Sequence, residues 1–407
     1  MQNRPKLRFK EFNDEWATVH LSNIADRVTR KNHNLETDLP LTISALDGLI
    51  DQREYFNRQV ASKDMSGYYL LSKGEFAYNK SYSNGFPYGS IKRLNKYTKG
   101  ALSTLYICFK PKNVNSDYLQ VYFDTDKWYK EIYMIALEGA RNHGLLNVAV
   151  DEFFQTIHHL PCLPEQQKIA EFLSKVDEVI AEREAEVKDL EQKKKGLMQK
   201  LFSQQLRFTD LNNQPYPEWG KNKLGDVLSV CRGGSPRPIE SYLTDADDGI
   251  NWIKIGDVSP QDNVIKSTKE KIKQEGVGKS RMVYKGDLIL SNSMSFGRPY
   301  LLEIDGCIHD GWLLIRDEKS CFNKKFLCYL LESDIVLYQY KKYAAGGVVI
   351  NLNSELVRSV NIVIPSLKEQ EKIANVLSKL DELIEEKKAL LFDWQLFKKG
   401  LLQQMFV

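Results

Sequence analysis

Two polar loops carry residue types that suit a polyanion. Between Phe76 and Ser116 the chain has no acidic residue, yet it holds Lys80, Lys92, Arg93, Lys96, Lys99, Lys110 and Lys112. Asn79, Ser81, Tyr82, Ser83, Asn84, Tyr88 and Tyr97 are interleaved among them. The stretch 266–285 carries seven bases against Glu270 and Glu275, then runs into Ser291-Asn292-Ser293-Met294-Ser295-Phe296-Gly297-Arg298. Basic side chains neutralise phosphates, and Asn, Ser, Tyr and Arg hydrogen-bond base edges. A solvated surface loop has the same composition. Recurrence of polar Gly-containing loops at equivalent places in two halves of the chain weighs against that blander reading.

Catalytic signatures fail one at a time. Gly278-Lys279-Ser280 resembles the end of a phosphate-binding loop, but the glycine required five positions earlier is Lys273. Gly276-Val277-Gly278 meets Arg281 where a dinucleotide fingerprint needs its third glycine. There is no Pro-Pro dipeptide, no Gly-x-Ser-x-Gly and no His-Glu-x-x-His. The six Cys (108, 162, 231, 307, 321 and 328) are scattered as in a reduced protein, and the histidines, His158-His159 included, lack zinc-site spacing. No catalytic residue and no metal ligand is therefore assigned. No run approaches the roughly 18 apolar residues of a membrane span. The N-terminus has no apolar leader, so a cytoplasmic location is expected.

What must position the loops is a tandem repeat. With 57 Lys+Arg against 54 Asp+Glu and 42% apolar residues, the chain is nearly neutral overall and can bury cores. The segment 160–170 lies over 364–374, and the alignment runs without a gap to Phe202 and Phe406, with roughly half the positions identical. Leu173-Ser174-Lys175-Val176-Asp177-Glu178 matches Leu377-Ser378-Lys379-Leu380-Asp381-Glu382. The similarity weakens outward: Lys73-Gly74-Glu75 recurs as Lys285-Gly286-Asp287, and Gly85-Phe86-Pro87-Tyr88 as Gly297-Arg298-Pro299-Tyr300. Four segments follow: 1–160 and 206–362 as globular parts, 161–205 and 363–407 as helices.

Both helical segments place apolar residues at alternating spacings of three and four. In the first these are Ile169, Leu173, Val176, Ile180, Val187, Leu190, Leu197 and Leu201. In the second they are Ile373, Leu377, Leu380, Ile384, Leu391, Trp394, Leu401 and Met405. Arg183 and Lys387 interrupt one seam position, Lys194 and Lys398 another. A seam this narrow needs a partner helix. Mutual, antiparallel pairing is favoured over ordinary core helices or intermolecular dimerisation. Each helix would be about 55 Å long, a ruler longer than the ~34 Å turn of B-DNA. The globular parts read as mixed α/β, with strands at 101–109 and 287–291 and helices at 117–134 and 324–340. The fold class is α+β.

The chain resembles the specificity subunits of type I restriction-modification systems. The likeness rests on Pro-x-Leu-x-Glu-Gln-x-x-Ile-Ala at 161–170 and its copy at 365–374, on Lys-Gly-Glu at 73–75 and Lys-Gly-Asp at 285–287, and on Trp252-Ile253-Lys254-Ile255-Gly256-Asp257. The first unit's counterpart at 41–47 departs from the Trp252 wording. The resemblance implies two target recognition domains, each reading half of a split double-stranded DNA site. The helices would set the spacer and dock two adenine-methylating subunits. Motor-nuclease subunits would complete the complex. S-adenosylmethionine, ATP and magnesium would belong to those partners, with no cofactor on this chain and no catalysis by it.

Carried to residues, this reading favours Lys80, Ser81, Tyr82, Asn84 and Tyr88 in one loop and Ser291, Asn292, Ser293, Arg298 and Tyr300 in the other as DNA-binding. Arg93, Arg141, Asn142, His143, Arg232, Arg237 and Lys254 are added. Gly233-Gly234 reads as a tight turn. Two other classes of function stay open: an enzyme using Glu75, Asp287 or Asp117, and a scaffold that binds only proteins.

Overall fold

The computed structural model describes residues 4–58, 60–136, 144–258, 263–292, 297–344 and 352–407. The chain forms two compact units, Met1–Glu184 with Ala389–Val407, and Ala185–Lys388. The division falls inside the two long helices rather than at their ends. Each unit therefore holds one globular part, the leading half of one long helix and the trailing half of the other.

In the first unit a four-stranded antiparallel sheet runs Ala25–Arg27, Ile107–Pro111, Phe76–Asn79, Ser90–Arg93. Its register sets Phe76 opposite Phe109, and the two rings stack at 5.3 Å. In the second unit the matching order is Ser229–Arg232, Trp312–Arg316, Leu288–Ser291, Pro299–Leu302, extended by Val264–Ile265 in parallel. A second five-stranded sheet, built on Ile250–Ile253 and Gly306–Ile308, covers it. Each unit also closes on itself through one antiparallel pair: Ala17–His20 with Ile157–Leu160, and Gly220–Lys223 with Asn361–Ile364. These pairs bring the start of each globular part beside the strand that feeds the long helix.

The long helices span Leu163–Phe202 and Leu367–Gln404. Pro164 lies within the first turn, where its missing N–H leaves no bond unmade. In the first unit Ile169, Leu173 and Val176 share a core with Leu401, Met405 and Phe406. In the second, Leu201 and Phe202 share one with Ile373, Ala374 and Leu377. Residue number rises along one helix where it falls along the other, so the pairing is antiparallel. Every one of the sixteen seam residues is buried or half-buried. Each fully buried one stabilises the pair by roughly 1.5–3 kcal/mol. The polar interruption at Lys387 is matched across the seam by Glu186 at 2.8 Å.

The repeated Glu-Gln pair explains itself in three dimensions. Glu165 is fully buried and takes both Nε and Nη2 of Arg8 at 2.8 Å. Its copy Glu369, also fully buried, accepts from Arg207 and from the Trp219 indole. Gln166 accepts the Asn115 N–H and donates to the Pro161 carbonyl; Gln370 does the same for Asn323 and Pro365. Asn115 and Asn323 in turn cap the helices Ser116–Phe123 and Lys324–Glu332. The motif thus bolts each globular part to its helix.

Three sequence expectations are corrected. The run 101–109 is two strands, Lys99–Leu102 and Ile107–Pro111, because Ser103 folds a turn by accepting the Tyr106 and Leu105 N–H groups. The helical stretches 117–134 and 324–340 are each broken once. Thr125 and Ser333 turn their hydroxyls back onto the carbonyls of Tyr122 and Leu330, both at 2.6 Å.

Candidate nucleic-acid interface

The loop 80–88 is carried by the strand Phe76–Asn79 and returned by Ser90–Arg93. Gly85 has a φ of +81°, and its counterpart Gly297 one of +77°; both need the left-handed freedom of glycine. The loop is tied down by backbone bonds: Leu146 donates to Lys80, and Tyr82 to Gly144. In the second unit Leu352 donates to Asn292 in the matching way. Tyr82 is 61% exposed and Asn84 is also exposed. Lys80 and Ser81 are half-buried, and the Lys80 ammonium reaches the Val148 carbonyl at 3.5 Å. Tyr88 leans on Tyr129 and Tyr133 at 5.3 and 6.2 Å.

The acid-free stretch 76–116 is not acid-free in space. Lys92 pairs with Asp124, Lys99 with Glu36 and Lys112 with Asp26, all at 2.6 Å. Arg93 is held by Asp117 at 2.8 Å and by the Ser116 hydroxyl at 2.9 Å, which makes it a brace rather than an open donor. Only Lys96 and Lys110 of that stretch are exposed without an ion-pair partner among the described residues.

The second unit keeps its positive bias. Among the described residues none of the seven bases of 266–285 ion-pairs with a carboxylate. Lys269, Lys271, Lys273 and Arg281 reach backbone carbonyls instead, and Lys279 reaches the Tyr242 hydroxyl. Arg281 donates to the Arg232 carbonyl at 3.2 Å and Ser280 to the Gly234 carbonyl at 2.8 Å. Arg232, Arg237, Lys279 and Arg281 are thereby gathered round Gly233-Gly234, all exposed. Gly233 is more than a turn residue: a Cβ there would lie 2.2 Å from the His309 carbonyl oxygen. Lys254 pairs with Glu270 on the covering sheet.

Three expected DNA-facing residues are interior. Tyr300 is 1% exposed and packs on Trp312 at 5.3 Å. Ser291 is fully buried and Asn292 is 5% exposed. They shape the loop from beneath, since a strand that feeds a loop buries its last residues in the sheet. Arg298 is half-buried and donates through Nε to Asn263 at 3.0 Å, with its guanidinium 5.4 Å from the Tyr300 ring centroid. Asn263 passes the bond on to Glu332 at 3.0 Å. Burial pushes the Glu332 carboxyl above its usual range, opposed by Lys194 and Arg298. Arg141, Asn142, His143 and Ser293 lie outside the described residues.

The three carboxylates weighed as catalytic are occupied. Glu75 pairs with Arg30 at 2.8 Å and accepts the Ser72 N–H; Asp287 pairs with Arg316 and accepts the Tyr284 N–H. They close matching turns round Gly74 and Gly286, whose φ values are +89° and +88°. Asp117 holds Arg93. Among the described residues no group of three His, Cys, Asp or Glu side chains could hold a metal ion, and no helix is long and apolar enough to cross a membrane.

The sequence reading missed His309, Asp310 and Ser235, which underlie the basic surface; Lys279 and Arg281 within it belong to the basic stretch 266–285. Neither His309 nor Asp310 belongs to a motif, and only the strand register brings them beside Arg232.

Comparisons agree with this architecture. Residues 216–391 match the family model described as the type I restriction modification DNA specificity domain. The chain is 25% identical to the type I restriction enzyme MjaVIII specificity subunit of Methanocaldococcus jannaschii over 307 residues, 71% of this chain and 69% of that protein. In fold it is similar to a chain from a structure concerned with complex assembly and conformational transition of the type I R-M system, with a TM-score of 0.63 at 17% identity, covering 97% of this chain and 98% of that one. The type I restriction-modification S subunit of M. genitalium gives 0.52 at 14% identity over 99% of both chains. With its duplicated units and paired helices, the chain is similar to type I restriction-modification specificity subunits, and the family model matches its second half.

Proposed function

We propose that this subunit selects DNA for its complex by reading one half of a bipartite double-stranded site with each globular part. The paired helices set the spacer between the half-sites and dock two adenine methyltransferase subunits. Motor-nuclease subunits complete the restriction enzyme, so the chain serves both methylation and restriction in the cytoplasm. It performs no catalytic step and carries no cofactor of its own; S-adenosylmethionine, ATP and magnesium act in its partners. The observation that carries this reading is the duplication. The same motif bolts two globular parts of different surface chemistry to two halves of one antiparallel helical pair. One frame with two differing surfaces suits a split target.

The test is sequencing of methylated bases in DNA from cells expressing the chain with its methyltransferase. One two-part motif containing adenine methylation is expected. Absence of any motif from a soluble, assembled complex overturns the proposal.

A further inference from the structure

We infer that Asp310 is a positioning residue for DNA reading by the second unit, holding Arg232 and Arg237 at the surface that meets one half-site. The inference rests on the function proposed above and adds a residue to it. Asp310 lies in the loop just before the strand Trp312–Arg316, with about a third of its side chain exposed. Its carboxylate receives the Ser235 hydroxyl at 3.0 Å, and His309 Nε2 lies 2.9 Å from the same oxygen. The guanidinium groups of Arg237 and Arg232 stand off at 3.8 and 3.9 Å. Its carbonyl takes Arg232 Nε at 3.0 Å and Asn292 Nδ2 at 2.9 Å. One residue thus ties together the loop 232–237, the root of the loop after Ser291, and its own turn.

Stability does not explain this arrangement. The arginine side chains are 59% and 83% exposed, and ion pairs in that setting contribute little to folding. What the acid does is restrict them. Arg232 is fixed through Nε by the Asp310 carbonyl, and one outer nitrogen stands 3.9 Å from the Asp310 carboxylate while the side chain stays largely exposed. A guanidinium held at its base presents a planar fork that fits the N7 and O6 of guanine or two phosphate oxygens. The acid also orders His309. The Gly311 N–H donates to His309 Nδ1 at 2.9 Å, which holds the ring with Nε2 beside Asp310. An isolated carboxylate facing DNA would repel phosphate. This one is flanked by two cations, with Lys279 and Arg281 close by in the same patch, so the surface stays positive. The first unit has no acid in the matching stretch 103–106, so the device belongs to the second unit alone.

The experiment compares methylated motifs in cells carrying the wild-type complex and complexes with Asp310→Asn, Asp310→Ala and the pair Arg232→Ala with Arg237→Ala. The wild-type motif tests the proposed function itself; the variants test this inference only where that motif is two-part. The expected result is relaxation confined to one half-site, with about tenfold or greater loss of discrimination at one or more positions. The arginine pair should reproduce it, and Asp310→Ala in that background should add little. Loss spread evenly over sequences with a shallower salt dependence would identify phosphate as the arginines' ligand. It would overturn base reading as the task Asp310 serves. An unchanged motif, or relaxation of both half-sites together, overturns the inference. The exposed arginines keep the test open should Asp310→Ala fail to assemble.

Discussion

Lys194 on the first long helix lies 2.5 Å from Asp381 on the second, and 204 residues further along the chain Lys398 lies 2.5 Å from Asp177. These two seam lysines are each answered by an acid from the opposing helix, at the same two positions of the repeat. In the second unit Asp381 also accepts the Tyr329 hydroxyl at 2.6 Å, and Lys194 sits 5.3 Å from the Tyr329 ring centroid. The breaks in the seam are therefore register pins, which admit one alignment of the two helices.

Reversing one pin should expose this. Lys398→Asp sets two acids face to face and should cost about 1 kcal/mol, because Asp177 is nearly half exposed and solvent screens the pair. Adding Asp177→Lys should recover most of the loss. Thermal unfolding of the assembled complex gives the double-mutant cycle, and no recovery in the swapped variant would show that the pin is not a pairwise contact.

Removing a bolt should cost more. Glu165→Ala leaves the Arg8 guanidinium, 13% exposed, without its bidentate partner, for a loss of about 3 kcal/mol or more. Glu369→Ala should act likewise on Arg207. Limited proteolysis should release the affected globular part from its helix first.

His158 predicts an acid dependence. It is buried in the first unit, between the Tyr122 hydroxyl at Nδ1 and the Thr156 hydroxyl at Nε2, both at 2.9 Å. Burial, aided by His159 and His20, depresses its pKa to about 3. The unfolded chain binds this proton near pH 6.5 and the folded one does not. The stabilisation is thus complete above pH 6.5 and is lost as pH falls toward 3, by about 1.4 kcal/mol per unit. Denaturant unfolding at pH 7, 6 and 5 should show that slope, and His158→Asn should flatten it.

Gly233→Ala forces a methyl carbon against the His309 carbonyl at 2.2 Å, backbone against backbone. A loss of about 2 kcal/mol is expected, together with displacement of Arg232. Gly234→Ala meets the Lys279 carbonyl at 3.1 Å and should be milder. Melting curves of the two complexes check the order.

Insertions at 183–190 of the first long helix test the ruler. The spacer of the methylated motif should change while both half-site sequences stay the same. Altered half-sites would show that the helices and globular parts do not divide the labour as proposed.

The frame was legible because its signals are periodic. The seam residues and the Glu-Gln pair recur 204 residues on, the glycines of the Lys-Gly-acid turns 212 residues on, and repetition separates them from chance. The interface was less legible because charge neutralisation is not local in sequence. Asp124, Glu36 and Asp26 disarm lysines tens of residues away, while the bases of 266–285 reach carbonyls and the Tyr242 hydroxyl. Tyr300 and Ser291 were misplaced for a related reason. A polar residue at the end of a strand looks the same in sequence whether it faces the sheet or the loop. Asp310 gave no signal at all, since its partners meet it only through strand register.

The helix halves have a topological consequence. Residues 389–407 complete the core of the unit that begins the chain, through Leu401, Met405 and Phe406. The order of the repeats in sequence is thus crossed in space, as in a domain swap carried out within one polypeptide. A fragment ending after the first long helix would lack the segment that fills its own core. A second copy of the same fragment would carry the equivalent residues Leu197, Leu201 and Phe202, and two such halves could complete each other by reciprocal exchange.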